Sequence, residues 1–533
     1  MQIRYLLLFT VFYINFLQGG LAQGDCGCNH TIKPEDLYFD GNEKGVKPGD
    51  VICVMASTKR YLGFINIKGA EGNPVTIKNC GGRVVVQNTD WYYGMKFDYS
   101  SHFKLTGTGS PQYKYGFLVD GTPFQIAGLG IAKLTTDFEV EFIEVARTGF
   151  AGIIAKSDPD CTGEPNRGSF VQRNTRVHDN YIHHTLGEGI YIGFPHYRGV
   201  KKLCGADSVR LLPHDVEGVR IYNNRIEYAG REGIQVGCAV SDVEIYDNVI
   251  NGYGMLDSRW QRSGIHITTG TTGKIYNNLV ANGSGSGMWL NGYGDNVIYN
   301  NIFANVGNNG EDAILVEDSL VRENTGYKFI NNTIIGAGKG GFKFNNNFNS
   351  SGNLFINNIL VVPSGNYKIL AREAGFEESN NFFASDINEV HFVNPATLDF
   401  ALTDRSPAID IGQDASVHLV NNDFYYVARP RGNNYDAGAV ESEHKRDLFD
   451  FIVFPSPSEG DATAAFTVKE EQEVSLGLYD SKGALIKELL PKQTKVAGYY
   501  TYPIDGVFLR SGLYYVRLER GKKTASRKFM VIR

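Results

Sequence analysis

Between Gly152 and Phe344 the chain returns repeatedly to one phrase, a small residue followed by an apolar, a variable and an apolar residue. The copies are Gly152-Ile153-Ile154-Ala155, Gly189-Ile190-Tyr191-Ile192, Gly233-Ile234-Gln235-Val236, Gly264-Ile265-His266-Ile267, Gly287-Met288-Trp289-Leu290, Ala313-Ile314-Leu315-Val316 and Gly341-Phe342-Lys343-Phe344. A second series accompanies them: Tyr222-Asn223-Asn224, Tyr246-Asp247-Asn248, Tyr276-Asn277-Asn278, Tyr299-Asn300-Asn301, Ile330-Asn331-Asn332 and Ile356-Asn357-Asn358. The last Asn of each marker lies 24, 30, 23, 31 and 26 residues after the previous one (248−224, 278−248, 301−278, 332−301, 358−332). Such spacings suit one solenoid coil per repeat. Short runs of alternating character, broken by Gly and Asn, predict strands rather than helices. Asn and Gly tolerate the left-handed backbone of sharp corners, and stacked Asn side chains can hydrogen-bond from coil to coil. A right-handed parallel β-helix is the simplest fold that meets these demands.

On these motifs the chain resembles the pectin-lyase-like right-handed parallel β-helices over roughly residues 45 to 440. Tyr115-Gly116-Phe117-Leu118-Val119 reads as an earlier copy of the phrase, and Val46 to Cys53 as the opening turn and strand. Leu402 to Asp410, with Arg429-Pro430-Arg431 and Asp436 to Ala439, resembles a closing segment expected to cover the last coil.

The ends carry different instructions. Arg4, the apolar run Tyr5 to Phe16 and the small residues Gly20 and Ala22 predict a secretory signal peptide over 1–22. The β-helix is then expected over 23–442, followed by a β-sandwich-like module over 443–533. Phe454-Pro455-Ser456-Pro457, Leu478 to Gly483, Leu509 to Val516 and Lys528 to Arg533 make that module resemble a type IX secretion sorting domain. The resemblance implies export through the periplasm to the surface or medium, with the secretion machinery as a partner. No transmembrane helix is expected, because no other stretch holds the roughly 18 to 20 apolar residues of a span. From Lys445 onward 15 basic and 11 acidic residues give +4, so the whole-chain charge of −6 leaves −10 on the rest. That balance disfavours nucleic acid. Seven cysteines are an odd number for an oxidising compartment. Cys161 with Cys204 is the preferred bridge and Cys53 with Cys80 the next; Cys26, Cys28 and Cys238 are left unassigned.

Equivalent residues on stacked strands lie about 4.8 Å apart. The middle residues of the triplets therefore form an outward column: Ile154, Tyr191, Gln235, His266, Trp289, Leu315 and Lys343. Tyr191 and Trp289 offer flat faces to sugar rings, and Gln235 and His266 offer hydrogen bonds to hydroxyls. Just before the triplets, Glu188 and Glu232 share one column, with Arg231 and Arg262 beside it. One corner earlier, the alignment stacks Glu144, His183, Glu227 and Asn251. The insertions Phe194 to Glu217 and Met255 to Arg262 bring His196, Arg198 and Trp260 towards a groove.

These residues predict a polysaccharide-degrading enzyme. Elimination beside a uronate would use His183, His266 or Tyr191 as base and Arg231 or Arg262 against the developing charge. Hydrolysis would use two of Glu144, Glu188, Glu227 and Glu232. Because relatives of the fold often cleave acidic polysaccharides, the resemblance puts the lyase first. A non-catalytic glycan-binding or adhesive surface protein is the rival. Calcium could sit at Gly294-Asp295-Asn296 or Asn309 to Asp312, and zinc at His183, His196 and His266.

Overall fold

The computed structural model describes residues 26–442 and 451–532, apart from 89, 91–92, 319, 337, 346–349, 373–375, 455–457, 459–461, 469–470, 497, 507–508 and 522. The signal peptide and the junction at 443 lie outside the described residues.

Each coil contributes three short strands in turn. Sheet 1 holds the triplets, twelve parallel strands from Tyr38–Asp40 to Tyr367–Arg372. Sheet 2 holds the strands that precede the Asn corner, such as Asp215–Tyr222 and Ala239–Tyr246, and sheet 3 those that follow it, such as Tyr181–His183, Arg225–Glu227 and Val249–Asn251. The long strand Val75–Val86 joins the last two by pairing with Ser101–Thr106 in sheet 2 and Phe117–Asp120 in sheet 3. The Tyr115 phrase thus lies in sheet 3 and is no triplet. The triplet of its coil is Leu129–Ala132, which pairs with Ile153–Ala155. Apolar spacing alone cannot say which wall a short strand joins.

The corners account for the repeated residue types. The middle residue of each marker (Asn223, Asp247, Asn277, Asn300, Asn331, Asn357) has φ between 52° and 57°. The last is buried and continues a ladder: Asn224, Asn248, Asn278, Asn301, Asn332 and Asn358. In each step the backbone N–H and side-chain amide of one Asn donate to the side-chain oxygen of the next, as from Asn248 to Asn278 at 3.1 and 2.9 Å. The small residue of the triplet has a separate cause. A Cβ on Gly189 would stand 2.6 Å from the Gly233 carbonyl oxygen, and one on Gly233 would stand 2.7 Å from that of Gly264. Inward Ile, Val and Phe side chains fill the bore, including the stacked rings of Phe64, Phe97 and Phe103.

The C-terminal stretch corrects the closing-segment expectation: it runs back along the Asn corner. Tyr426 Oη donates to Asp247 (2.5 Å), Asn331 Nδ2 to the Asp436 carbonyl (2.9 Å) and Asn357 Nδ2 to the Gln413 carbonyl (2.7 Å). The Arg429–Glu441 ion pair, 2.5 Å and wholly buried, fixes the strap, and Arg429 also donates to Asn300 Oδ1.

Cys161–Cys204 forms as expected, but the N-terminal bridges are Cys26–Cys80 and Cys28–Cys53, not Cys53–Cys80. Register explains the difference, because Cys53 faces Lys78 while Cys80 faces Met55. The strand His30–Ile32 pairs directly over Cys53, so the N-terminal segment supplies both partners. Cys238 stays free and buried, its thiol pushed up to about 12 by burial. After the linker, antiparallel strands form a separate domain with its own core around Phe466, Leu476, Val516 and Phe529.

Candidate functional site

The triplet column forms in the expected register: Ile154, Tyr191, Gln235, His266, Trp289, Leu315 and Lys343 face one another on successive strands. Its centre is enclosed, with Tyr191, Gln235 and His266 at 7%, 5% and 8% exposure. The neighbours Ile190, Ile192, Ile265 and Ile267 fill the bore, so alternation sets the column on the outer side, beneath loops. His266 stacks on Trp289 with ring centroids 4.4 Å apart and planes 5° from parallel. Trp260 of the Met255–Arg262 insertion lies 5.8 Å from Trp289. The same insertion is tied to the corner before Glu232, where Met255 and Leu256 donate to the Ala229 and Gly230 carbonyls.

Glu188 and Glu232 occupy consecutive rungs, since Gly189 N–H donates to the Glu232 carbonyl just as Gly152 N–H does to that of Glu188. Both side chains are buried, at 1% and 0% exposure. Glu232 Oε1 lies 3.3 Å from His266 Nδ1, and His266 Nε2 lies 3.1 Å from Asn291 Oδ1. Arg231 Nη1 stands 3.7 Å from Glu188 Oε1. Burial first, and then the charge of Glu232, raise Glu188 to about 7. The remaining oxygen of each carboxylate has no hydrogen-bond partner among the described residues. Burial beside a second carboxylate makes Glu188 a strongly perturbed group, of the kind that clusters at functional sites.

The other expected residues divide. Arg262 bonds Asp257 and Glu311, so it ties its insertion to a later loop instead of facing the carboxylates. His196 and Arg198 are exposed on the Phe194 insertion, which is fixed where Tyr197 N–H donates to Thr269 Oγ1 (3.0 Å). His183 and Glu227 belong to sheet 3, a different wall from His266. Glu144 is also displaced from the expected column: it faces Tyr181, two residues from His183. Val145, not Ile143, stands opposite Ile182, yet the side chains still meet, with His183 Nε2 3.1 Å from Glu144 Oε1 and Arg83 paired to Glu144. Glu227 accepts from Tyr181 Oη (2.7 Å) and from Arg225 (2.9 and 2.7 Å). This second cluster is an internally paired network.

The proposed metal positions also have internal partners. Asp295 pairs with Arg322 (3.1 Å), Asp312 accepts from Tyr367 Oη, and Glu311 pairs with Arg262. The three zinc histidines lie on separate elements. Glu139, Glu141 and His178 do converge in sheet 2, but the Lys104 ammonium bonds both carboxylates at 2.6 and 2.7 Å. Sequence reading passed over the position immediately after the triplet, which holds Lys156, Asn291 and Glu317. Lys156 Nζ sits 5.1 Å from the Tyr191 ring and Trp289 Nε1 donates to Glu317 (3.2 Å). The signal was present as a further stacked column.

The family description "Right handed beta helix region" matches residues 172–424, and "Secretion system C-terminal sorting domain" matches residues 452–532. The chain is a right-handed parallel β-helix protein bearing a type IX sorting domain, which marks it for secretion to the cell surface or the extracellular space. Among the described residues no helix is long and apolar enough to cross a membrane. Similar solved structures include pectate lyase Pel9A (14% identity, 75% of this chain and 89% of that chain, TM-score 0.34). The Azotobacter vinelandii mannuronan C-5 epimerase AlgE4 A-module matches at 12% identity over 62% of this chain and 89% of that one, with TM-score 0.34. XylC in complex with xylose matches at 11% identity over 93% and 100%, also with TM-score 0.34. No curated protein matches the chain.

Proposed function

We propose that this protein is a secreted polysaccharide-degrading enzyme whose chemistry resides in Glu188 and Glu232. The observation that carries the reading is the pair itself: adjacent buried carboxylates, one held near neutrality and the other set against His266. Hydrolysis suits this arrangement better than the eliminative cleavage that family resemblance placed first. A uronate would bring a third carboxylate into the pocket, while Arg262 is engaged by Asp257 and Glu311 and Arg231 is beside Glu188.

In this reading protonated Glu188 gives its proton to the leaving oxygen. Glu232 attacks the anomeric carbon as the bond to the leaving oxygen breaks, and water then releases the sugar with Glu188 as base. Adjacent rungs, about 4.8 Å apart, match the roughly 5–5.5 Å separation of retaining pairs. Trp289 offers the sugar platform, and His266, held by Asn291, orients Glu232. The carboxylates are covered, so substrate entry requires a movement that uncovers them.

That cover favours a second reading, in which the buried carboxylates only brace the solenoid and the protein binds glycans without cutting them. Incubation with neutral and uronate-containing polysaccharides separates the readings. Reducing ends without an unsaturated chromophore are expected, and Glu188→Gln or Glu232→Gln should lower kcat by about a thousandfold. Full activity in both variants would reject catalysis at this pair; absorbance from an unsaturated product would return the lyase.

A further inference from the structure

On the outer face of sheet 3, away from the carboxylate pair, two adjoining hollows of ≈ 440 and ≈ 410 Å³ share Leu398 as part of their rims. The floor is built from amides. Asn282 Nδ2 donates to Asn251 Oδ1 and Asn305 Nδ2 to Asn282 Oδ1, each at 2.8 Å. An amide carries two N–H groups, and one on each of Asn282 and Asn305 has no partner among the described residues. From the coil of Glu227 to that of Asn305 is three rises, about 14 Å. Amides occupy three consecutive coils of this span, those of Asn251, Asn282 and Asn305, so their chemistry repeats once per rise along that part of the trough.

At one end the Tyr228 ring, 46% exposed, leans over Gly252: a Cβ built there would stand 3.2 Å from Tyr Cδ1. The ring also packs against His184, with centroids 4.9 Å apart, while Gly252 adds no side chain between the ring and the amides. The charges at that end are already matched, Glu227 being held by Arg225 and Tyr181. The backbone of the floor is committed to the parallel ladder, which rules out recognition by added strands.

We propose that this trough binds an extended, uncharged polysaccharide, with Tyr228 stacking on a sugar ring and Asn282 and Asn305 donating to hydroxyls. Repeating amide donors beside an aromatic face match a repeating polyhydroxyl chain, and the matched charges give a uronate nothing to pair with. The site is separate from the carboxylate pair and does not depend on that pair being catalytic.

Affinity electrophoresis of the full Glu188→Gln chain in gels containing xylan, mannan or mixed-linkage glucan tests this, because the variant leaves the polymer intact. Retardation by at least one neutral polymer is expected. Tyr228→Ala should weaken it about tenfold, and Asn282→Gly, which keeps the left-handed corner, should weaken it too. With Glu188 restored, Tyr228→Ala should hydrolyse a short soluble substrate at the parent rate and unfold at the parent temperature. The proposal is overturned if no neutral polymer retards the chain, if polygalacturonate alone does, or if both trough variants migrate like the parent.

Discussion

Replacing Asn248 by Ala should open the solenoid at its most regular corner. The Asn248 oxygen accepts from the backbone N–H and the amide of Asn224 at 3.1 and 3.0 Å. Its amide donates to the carbonyls of Ile221 and Tyr246 and to Asn278 Oδ1 at 2.9, 3.0 and 2.9 Å. Asn248 and Asn224 are 0% and 1% exposed, so water cannot replace what is removed. At least two backbone groups, the Asn224 N–H and the Ile221 carbonyl, lose a buried partner. At about 1–3 kcal/mol each, the substitution should destabilise the protein by about 2–6 kcal/mol. All three tryptophans, Trp91, Trp260 and Trp289, precede the sorting domain, so tryptophan fluorescence during urea unfolding reports the solenoid alone. Val249→Ala, at a partly exposed neighbour, should change stability by less than about 1 kcal/mol. A loss below about 1 kcal/mol for Asn248→Ala would refute the claim that the Asn ladder holds the corner.

Further expectations concern charge and sulfur. Glu188 titrates near 7 in the folded chain against 4.5 when unfolded; its folded pKa is raised, so the stability it contributes is full below 4.5 and disappears as pH rises through 7. The gap between parent and Glu188→Gln unfolding free energies should therefore shift by about 3 kcal/mol over that window, and a constant gap would show that Glu188 is not perturbed. If Glu188 is the acid, kcat/KM should fall above pH 7, measured as a pH–rate profile. A thiol reagent should find no reactive cysteine in the native protein and one, Cys238, after unfolding without reductant; native reactivity would contradict its burial. Cys161→Ser should loosen the Val200–Cys204 and Asp207–Leu211 hairpin, seen as faster local proteolysis within the Phe194–Glu217 insertion with little change in the urea midpoint of the solenoid.

The column of Tyr191, Gln235, His266 and Trp289 was legible because a one-residue slip would have turned the buried Ile residues outward. The same logic made the Asn markers reliable, since only their spacing was needed. Enclosure was not legible. It depends on where the Met255 and Phe194 insertions lie, and their sequence carries no period to fix them. Glu144 was misplaced because Ile143 and Val145 are both inward apolar residues, so a two-residue slip of Ile182 from Val145 to Ile143 leaves the alternation intact. The Cys53 partner was missed for a different reason: the N-terminal segment enters the stack as an extra rung. The strap from Asp404 to Glu441 has contacts with coils more than a hundred residues earlier, such as Arg429 with Asn300, which no local pattern encodes.

Stacking sets Glu188 and Glu232 on consecutive rungs, where we propose that they act as one catalytic pair. Proton NMR of the first sugar released from a neutral polysaccharide tests it most directly. The account predicts product that keeps the anomeric configuration of the cleaved bond, with cleavage lost in Glu232→Gln. Inverted product, or undiminished cleavage by that variant, would contradict it.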